Sequence, residues 1–126
     1  MTTERAIQRA VVAYLRRVLP GAIVHHSVNE QALSGADRRA AAIAMRNAKL
    51  DGMLPGWPDI EVLTDTRTLF FEVKREGGKL TPSQSRIHEE IRALGYSVAV
   101  VRSIEDVREA LAEWTVPTRE TDRSSA

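Results

Sequence analysis

The sequence contains no cysteine, which excludes disulfide bonds, thiolate zinc sites and cysteine nucleophiles. It also lacks any apolar run approaching the roughly 20 residues that cross a bilayer. The N-terminal segment MTTERAIQRA is charged and has no apolar region of the kind that marks a secretory signal. These absences lead us to expect a soluble, cytoplasmic protein without a membrane span.

A strong net charge of one sign is missing as well. The chain has 18 Lys and Arg against 17 Asp and Glu, so its formal net charge is +1. Any nucleic-acid site must therefore be a local patch. Residues 36–50 carry four positive charges and one negative, a local excess of +3, from Arg38, Arg39, Arg46 and Lys49. These side chains either contact phosphates or form an ordinary solvated helix face, and both interpretations stay open.

Apolar spacing and turn signals predict one compact domain over residues 1–116. The predicted order is helix, strand, helix, two-stranded hairpin, helix, strand, helix, with a loop at 29–35. This order indicates an α/β fold with helices around a mixed central sheet. The last strand, YSVAVVR, is nearly all apolar, which predicts burial on both faces. Residues 117–126 are polar, and we expect them to be disordered.

The segment PGWPDIEVLTDTRTLFFEVKREGG, residues 55–78, predicts the hairpin. Apolar residues alternate on both sides of the polar turn Thr64–Arg67. A four-residue loop pairs residue 63 with 68, 61 with 70 and 59 with 72. Asp59 then faces Glu72 at a Cβ separation of roughly 4.5–5.5 Å, and Lys74 lies on the same face. Two like charges in this position destabilise a hairpin, so another group is expected to hold them.

A divalent cation would hold such a pair, because Mg²⁺ and Mn²⁺ prefer oxygen ligands and retain several waters. Bound there, it would stabilise charge on a phosphate undergoing hydrolysis and would lower the pKa of a bound water. Lys74 could hold the attacking water or offset phosphate charge. This pattern predicts metal-assisted phosphodiester hydrolysis. The alternative is a solvated hairpin face with an ordinary cross-strand ion pair.

Pro58-Asp59 followed by Glu72-Val73-Lys74 resembles the PD-(D/E)XK nuclease signature. Together with GMLPGWPDIEVL, FFEVKREGGKLTPSQ and VAVVRSIEDV, it is similar to the VRR-NUC (virus-type replication–repair nuclease) domain, in its small phage and bacterial forms. The resemblance covers roughly residues 4–110. It implies a restriction-endonuclease-like core and a DNA endonuclease that depends on Mg²⁺ or Mn²⁺. It further implies branched DNA such as Holliday junctions as substrate, a homodimer, and a bacterial or phage-infected cell.

The resemblance also implies roles for individual residues. Asp59 and Glu72 would bind the metal, with the backbone carbonyl of Val73 as a third ligand. Lys74 would be the catalytic lysine. Glu4 would complete the metal shell, unless it is only a first-turn acid favoured by the helix dipole. Gln84 would lie near the site, and it also fits a capping box with Thr81.

Further residues have two interpretations each. Arg75 and Lys79 flank a glycine-containing loop after the catalytic strand, where phosphate contact is plausible. Trp57 could stack on a base, although loop anchoring is more common. His25 and His26 face opposite sides of a strand, neither being expected as a ligand, and His88 is expected at the surface. Two alternative functions are a nucleic-acid-binding module without turnover and a sequence-specific restriction-type nuclease.

Overall fold

The computed structural model describes residues 2–27 and 37–120. Its elements are α1 (Glu4–Val18), β1 (Ile23–His26), α2 (Arg38–Leu50), β2 (Ile60–Leu63), β3 (Thr68–Val73), α3 (Pro82–Ala93), β4 (Ser97–Val101) and α4 (Ile104–Glu113). The predicted order of elements is confirmed. The expected loop at 29–35 and the tail residues 121–126 lie outside the described residues. No helix in the described part of the chain is long and apolar enough to cross a membrane.

Side-chain caps fix where the helices begin, as the sequence predicts. The Thr3 hydroxyl accepts the Ala6 N–H at 3.1 Å at the start of α1. Thr81 and Gln84 form a reciprocal capping box at the start of α3, with Pro82 in its first turn. Because each cap satisfies backbone donors that have no partner within the helix, it sets the first residue of that helix.

The sheet is mixed, in the order β1-β2-β3-β4. The β1–β2 and β2–β3 pairs are antiparallel, and β3 and β4 are parallel. Leu63 pairs with Thr68 and Glu61 with Phe70, which confirms the predicted hairpin register. The last pair of the hairpin is Ile60 with Phe71, so Asp59 and Glu72 lie where the two strands separate.

Apolar side chains cover both faces of the sheet. One cluster joins α1 and α4 to β1, β2, β3 and β4 and includes Leu15, Ile60, Phe71 and Leu111. Phe70 faces the other way and packs with Ile87, Ile91 and Val98, which connects α3 to the sheet. Burying a side chain of this size stabilises the fold by about 1.5–3 kcal/mol.

Strand β4 is less buried than its apolar sequence predicts. Only Val98 and Val101 are buried, and Ser97, Ala99 and Val100 are half-buried. The physical reason is its place at the edge of the sheet, where one side has no neighbouring strand. Both faces of the strand are nevertheless covered as predicted, because Val98 packs in the cluster with α3 and Val101 in the cluster with α1 and α4.

Helix α2 differs from the other helices because none of its residues is buried. Ile43 and Leu50 are exposed, and the half-buried positions are mainly alanines. The helix itself is nevertheless present as predicted, and it begins where the Asp37 carboxylate accepts the N–H of Arg39 at 2.8 Å.

The chain after residue 116 is ordered further than its polar composition predicts. Thr118 is buried. The Glu120 carboxylate accepts a hydrogen bond of 2.5 Å from the Tyr14 hydroxyl and one of 2.6 Å from Arg108. The expectation of a disordered tail is thus wrong for residues 117–120, because specific polar contacts fasten them to α1 and α4.

Candidate active site

Three ionisable side chains converge at the open end of the β2–β3 hairpin. Asp59 directly precedes β2, Glu72 is near the end of β3, and Lys74 follows it. Their exposed fractions are only 8%, 2% and 6%. A solvated hairpin face would leave such side chains in water, so that interpretation is excluded.

Asp59 is held by both its side chain and its backbone. Its Oδ2 accepts the N–H of Val73 at 2.8 Å, which ties the residue to β3 just beyond the last ladder pair. Its backbone carbonyl accepts the N–H of Ser27 at 2.7 Å. The exposed ring of His26 lies beside the same carbonyl, with Nδ1 at 3.0 Å. The carboxylate position is therefore fixed by two neighbouring strands.

Burial and the nearby acid together raise the pKa of Glu72 to about 10. Loss of hydration is the largest cause, followed by a hydrogen bond with Asp59 and by the charge of Asp59. The charge of Glu4 raises this pKa further, whereas the ammonium group of Lys74 lowers it. At neutral pH Glu72 consequently keeps a proton, and its carboxyl group shares a hydrogen bond with Asp59.

This donor set fits a hard divalent cation. Two buried carboxyl groups that are close enough to share a proton offer oxygen ligands to an ion taking the place of that proton. Within residues 2–27 and 37–120, no three His, Asp or Glu side chains form a complete metal-binding group. The pair at the hairpin therefore matches ions that keep several waters, as Mg²⁺ and Mn²⁺ do.

Two side chains of helix α3 contact the carboxyl group of Glu72. The amide Nε2 of Gln84 donates to Oε2 at 3.4 Å, and Nε2 of His88 lies 3.2 Å from Oε1. The other end of the Gln84 amide accepts the N–H of Thr81 at 2.9 Å, so Gln84 caps the helix and reaches the site at once. The sequence left both interpretations of Gln84 open, and both apply.

His88 is fully buried, so its expected surface position is wrong. Burial and, secondarily, the charge of Arg92 lower the pKa of its imidazole to about 4, so the ring is neutral at pH 7. The sequence did contain a signal, because His88 follows Gln84 by four residues and so shares its helix face. That spacing does not reveal which surface covers the face.

The loop before Asp59 packs against the start of α3. A Cβ atom on Gly56 would lie 2.5 Å from the carbonyl carbon of Ser83, and φ of Gly56 is +84°. Trp57 anchors the same loop by donating to Glu61 at 2.7 Å and by an edge-on contact of 5.6 Å with Phe70. Trp57 thus anchors the loop. The loop that leads to Asp59 is therefore held against the first turn of α3.

Glu4 approaches the site from the first turn of α1. It is half-buried, and its Oε2 accepts the backbone N–H of Arg75 at a long 3.4 Å. Since its charge contributes to the raised pKa of Glu72, it belongs to the same acidic cluster. Glu4 therefore interacts with the site in addition to being favoured by the dipole of α1.

The predicted phosphate-binding residues lie on two surfaces. Arg75 and Lys79 are exposed on the loop that leaves β3, and Arg102 holds this loop by donating to the Arg75 carbonyl at 3.0 Å. On α2 the four basic residues are all exposed, and their spacing places them within about 100° of one another around the helix axis. They are Arg38, Arg39, Arg46 and Lys49.

A mixed sheet flanked by helices, with a buried Asp–Glu pair and a lysine at the end of a hairpin, defines an α/β domain of the nuclease type. Comparison with known proteins agrees. Residues 3–105 match the model of the VRR-NUC domain, and the chain therefore belongs to the VRR-NUC family. Membership implies a nuclease-type domain that binds nucleic acid.

Solved structures support the same assignment of the fold. A "VRR_NUC domain protein" has a TM-score of 0.66 at 21% identity, with 90% of this chain and 88% of that chain covered. A second structure, "VRR_NUC domain", has a TM-score of 0.60 at 27% identity and covers 89% and 97% of the two chains. None of the curated proteins matches the sequence.

Proposed function

We propose that the chain is an Mg²⁺- or Mn²⁺-dependent endonuclease that hydrolyses phosphodiester bonds in branched DNA, including four-way junctions. The observation that carries this proposal is the buried pair Asp59 and Glu72 beside Lys74 in a VRR-NUC fold. A buried acid whose pKa is raised beside a second buried acid is costly to maintain, and such arrangements are concentrated at functional sites.

The proposal gives each residue a role. Asp59 and Glu72 would hold the ion, with the Val73 carbonyl as a further ligand. Glu4 would join them only by moving closer when the ion binds, because the described residues do not bring these three acids into one metal-binding group. When bound, the ion would supply Lewis-acid stabilisation of phosphate charge and would acidify a bound water. Lys74 would hold that water or its hydroxide and would offset charge on the phosphate. Gln84 would orient Glu72 through its amide N–H.

DNA contact would come from the basic residues on the two exposed surfaces. Arg75 and Lys79 follow directly after the catalytic strand, where a scissile phosphate would have to lie. The α2 residues Arg38, Arg39, Arg46 and Lys49 would contact phosphates elsewhere on the substrate. Such contacts position the DNA without reading its sequence.

We include branched substrates and a homodimer in the proposal for two reasons. One is the family resemblance, and the other is the number of active sites that a junction requires. The chain offers one candidate active site, whereas a four-way junction must be cut on two strands. A symmetric dimer would present two sites at once. A mass measurement of the free protein tests this part independently of activity.

The decisive experiment compares Lys74→Ala with Lys79→Ala on junction, flap and linear duplex DNA, with Mn²⁺ or Mg²⁺. We expect Lys74→Ala to lower kcat by about 10²–10⁴-fold, because a charge aimed at the reacting phosphate is lost. Lys79→Ala is the matched control: it should raise KM and leave kcat nearly unchanged, as befits a binding contact.

Three other outcomes would change the proposed function. Full activity of Lys74→Ala would remove the proposed mechanism. Tight binding of DNA without cleavage in either metal would identify a binding module that has lost turnover. Sequencing the cleavage ends distinguishes the two enzymatic alternatives, since one recurrent motif indicates a restriction-type nuclease and scattered sites indicate structure-directed cutting.

A further inference from the structure

We propose that His88 is a positioning residue that fixes the Glu72 carboxylate in the orientation needed to bind the divalent ion. This inference rests on the proposed function and assigns part of the metal affinity to a residue outside the set of ligands. His88 lies in the second turn of α3, where it is 0% exposed and its ring meets the carboxyl group of Glu72.

The first step is the geometry of the contact. Nε2 of His88 lies 3.2 Å from Oε1 of Glu72, and the amide of Gln84 reaches Oε2 from one helical turn earlier. Both oxygens of Glu72 are thus approached by one face of a single helix. A carboxylate restrained at both oxygens cannot rotate freely about its terminal bond.

The second step locates the proton on the imidazole. Nδ1 of His88 is buried and has no hydrogen-bond partner within the described part of the chain. A proton on Nδ1 would therefore be buried without an acceptor, which is costly. A proton on Nε2 has the carboxyl oxygen of Glu72 as its acceptor. His88 consequently donates to Glu72 through Nε2.

The third step separates this role from simple filling of the core. The neighbours of His88 on α3 that face the sheet are Ile87 and Ile91, and apolar residues would also pack there. A buried imidazole lowers stability unless its polar atoms are satisfied, and the hydrogen bond it makes here is to Glu72. Partners that orient a metal ligand commonly contribute 10–100-fold to metal affinity.

The experiment compares three variants by calorimetric titration with Mn²⁺ and by the Mn²⁺ dependence of cleavage. His88→Leu removes the donor, and we expect Mn²⁺ affinity to fall by about 10–100-fold. His88→Gln keeps an N–H at similar reach and should return affinity to within a few-fold of the original protein. Ile91→Ala removes a core side chain from the same helix without touching Glu72 and should leave Mn²⁺ affinity unchanged.

The contact itself has a readout that needs neither metal nor activity. In the metal-free protein, ¹⁵N shifts of the His88 ring should report a protonated Nε2 and an unprotonated Nδ1, and Glu72→Gln should shift the Nε2 resonance. A protonated Nδ1 would overturn the inference, even if His88→Leu fails to fold.

The two proposals fail in different ways. If the original protein takes up Mn²⁺ and His88→Leu takes it up equally well, the positioning role is wrong and the proposed function stands. If the original protein takes up no Mn²⁺ at all, the metal-dependent function is wrong and the positioning role is lost with it.

Discussion

At the scale of single residues, the central feature is a pair of acids kept out of water. An ionised carboxylate that is 2% exposed is strongly disfavoured, and a second carboxylate beside it adds repulsion. The metal-free protein resolves this by leaving a proton on Glu72. Removal of that proton requires a positive charge in its place, and the ammonium group of Lys74 supplies part of it.

Stability of the metal-free protein should therefore fall as pH rises. The pKa of Glu72 is raised from 4.5 to about 10 on folding, so between these values the folded chain holds a proton that the unfolded chain releases. The free energy of unfolding should decrease by at most about 1.4 kcal/mol per pH unit in this window. Urea denaturation at about pH 7, 8 and 9 measures it.

The window above pH 7 separates the contribution of Glu72 from that of His88. His88 has a lowered pKa of about 4, so its contribution rises with pH only up to its ordinary value of 6.5. Asp59, Glu4 and Lys74 are the charged groups that act on Glu72. Glu72→Gln should flatten the pH dependence, and added Mg²⁺ should stabilise the original protein more at pH 9 than at pH 7. An equally steep slope in Glu72→Gln would contradict this account.

Sequence reasoning reached some residues of the site and missed one. Asp59, Glu72 and Lys74 could be placed together because strand side chains alternate and a four-residue turn fixes the register. Their burial could not be predicted, because it depends on α3 covering that face. His88 was missed for the same reason: helical spacing gives the face on which a residue lies, but not the surface that the face meets.

At the scale of elements, α3 connects the catalytic strand to the loop that carries Asp59. Its capping box sets the first turn, and Gly56 lets the loop backbone approach that turn closely. The position of Gln84 near Glu72 therefore depends on a backbone contact that no other residue type permits. The helix therefore lines the site and also packs on the hydrophobic core.

Gly56→Ala should be markedly more destabilising than a matched substitution at the other end of the same helix. The added Cβ at Gly56 would lie 2.5 Å from backbone atoms of Ser83, in addition to the strain of a positive φ. Gly95 also has a positive φ, of +95°, but open space around it. We expect Gly95→Ala to lose about 1–2 kcal/mol and Gly56→Ala to lose more than that.

Thermal or urea denaturation of both variants checks this prediction. Equal losses would mean that backbone strain alone decides the effect and that the close approach of the loop to α3 is unimportant. A larger loss at Gly56 should be accompanied by weaker cleavage, because Asp59 follows three residues later.

Local sequence signals predicted the helices and strands well. The predictions that were wrong concern features set by contacts between residues distant in the chain. The start of α3 followed from Thr81 and Gln84, whose capping is a property of a few adjacent residues. The half-burial of β4 depends on its place at the sheet edge, which its own sequence does not encode. The order of residues 117–120 depends on Tyr14 and Arg108, which are distant in the chain.

At the scale of the whole molecule, charge is distributed unevenly although the total is close to zero. The formal net charge is +1, yet residues 36–50 alone carry +3. This excess lies on α2, which has no buried residue and so presents its basic side to solvent. Nucleic acid binding through this helix would add attraction without making the rest of the protein basic.

The variant Arg39→Gln/Arg46→Gln should bind DNA more weakly and with a smaller dependence on salt. If each arginine contacts one phosphate, the slope of log affinity against log salt should decrease by about 2. Arg119→Gln is the control, because Arg119 is exposed near the turn end of the hairpin, away from Asp59. Fluorescence anisotropy over a range of salt concentrations measures the slopes.

An unchanged slope in the double variant would show that α2 is an ordinary solvated helix. In that case the phosphate contacts of the proposed enzyme would have to come from Arg75 and Lys79, on the loop beside the site.

The exposure of α2 has an evolutionary consequence. Because helix α2 has no buried residue, this segment can be exchanged, shortened or recharged while the hairpin with its acids stays intact. Substrate preference and chemistry could then diverge separately among relatives, and a chimaera that swaps this segment alone would transfer one trait without the other.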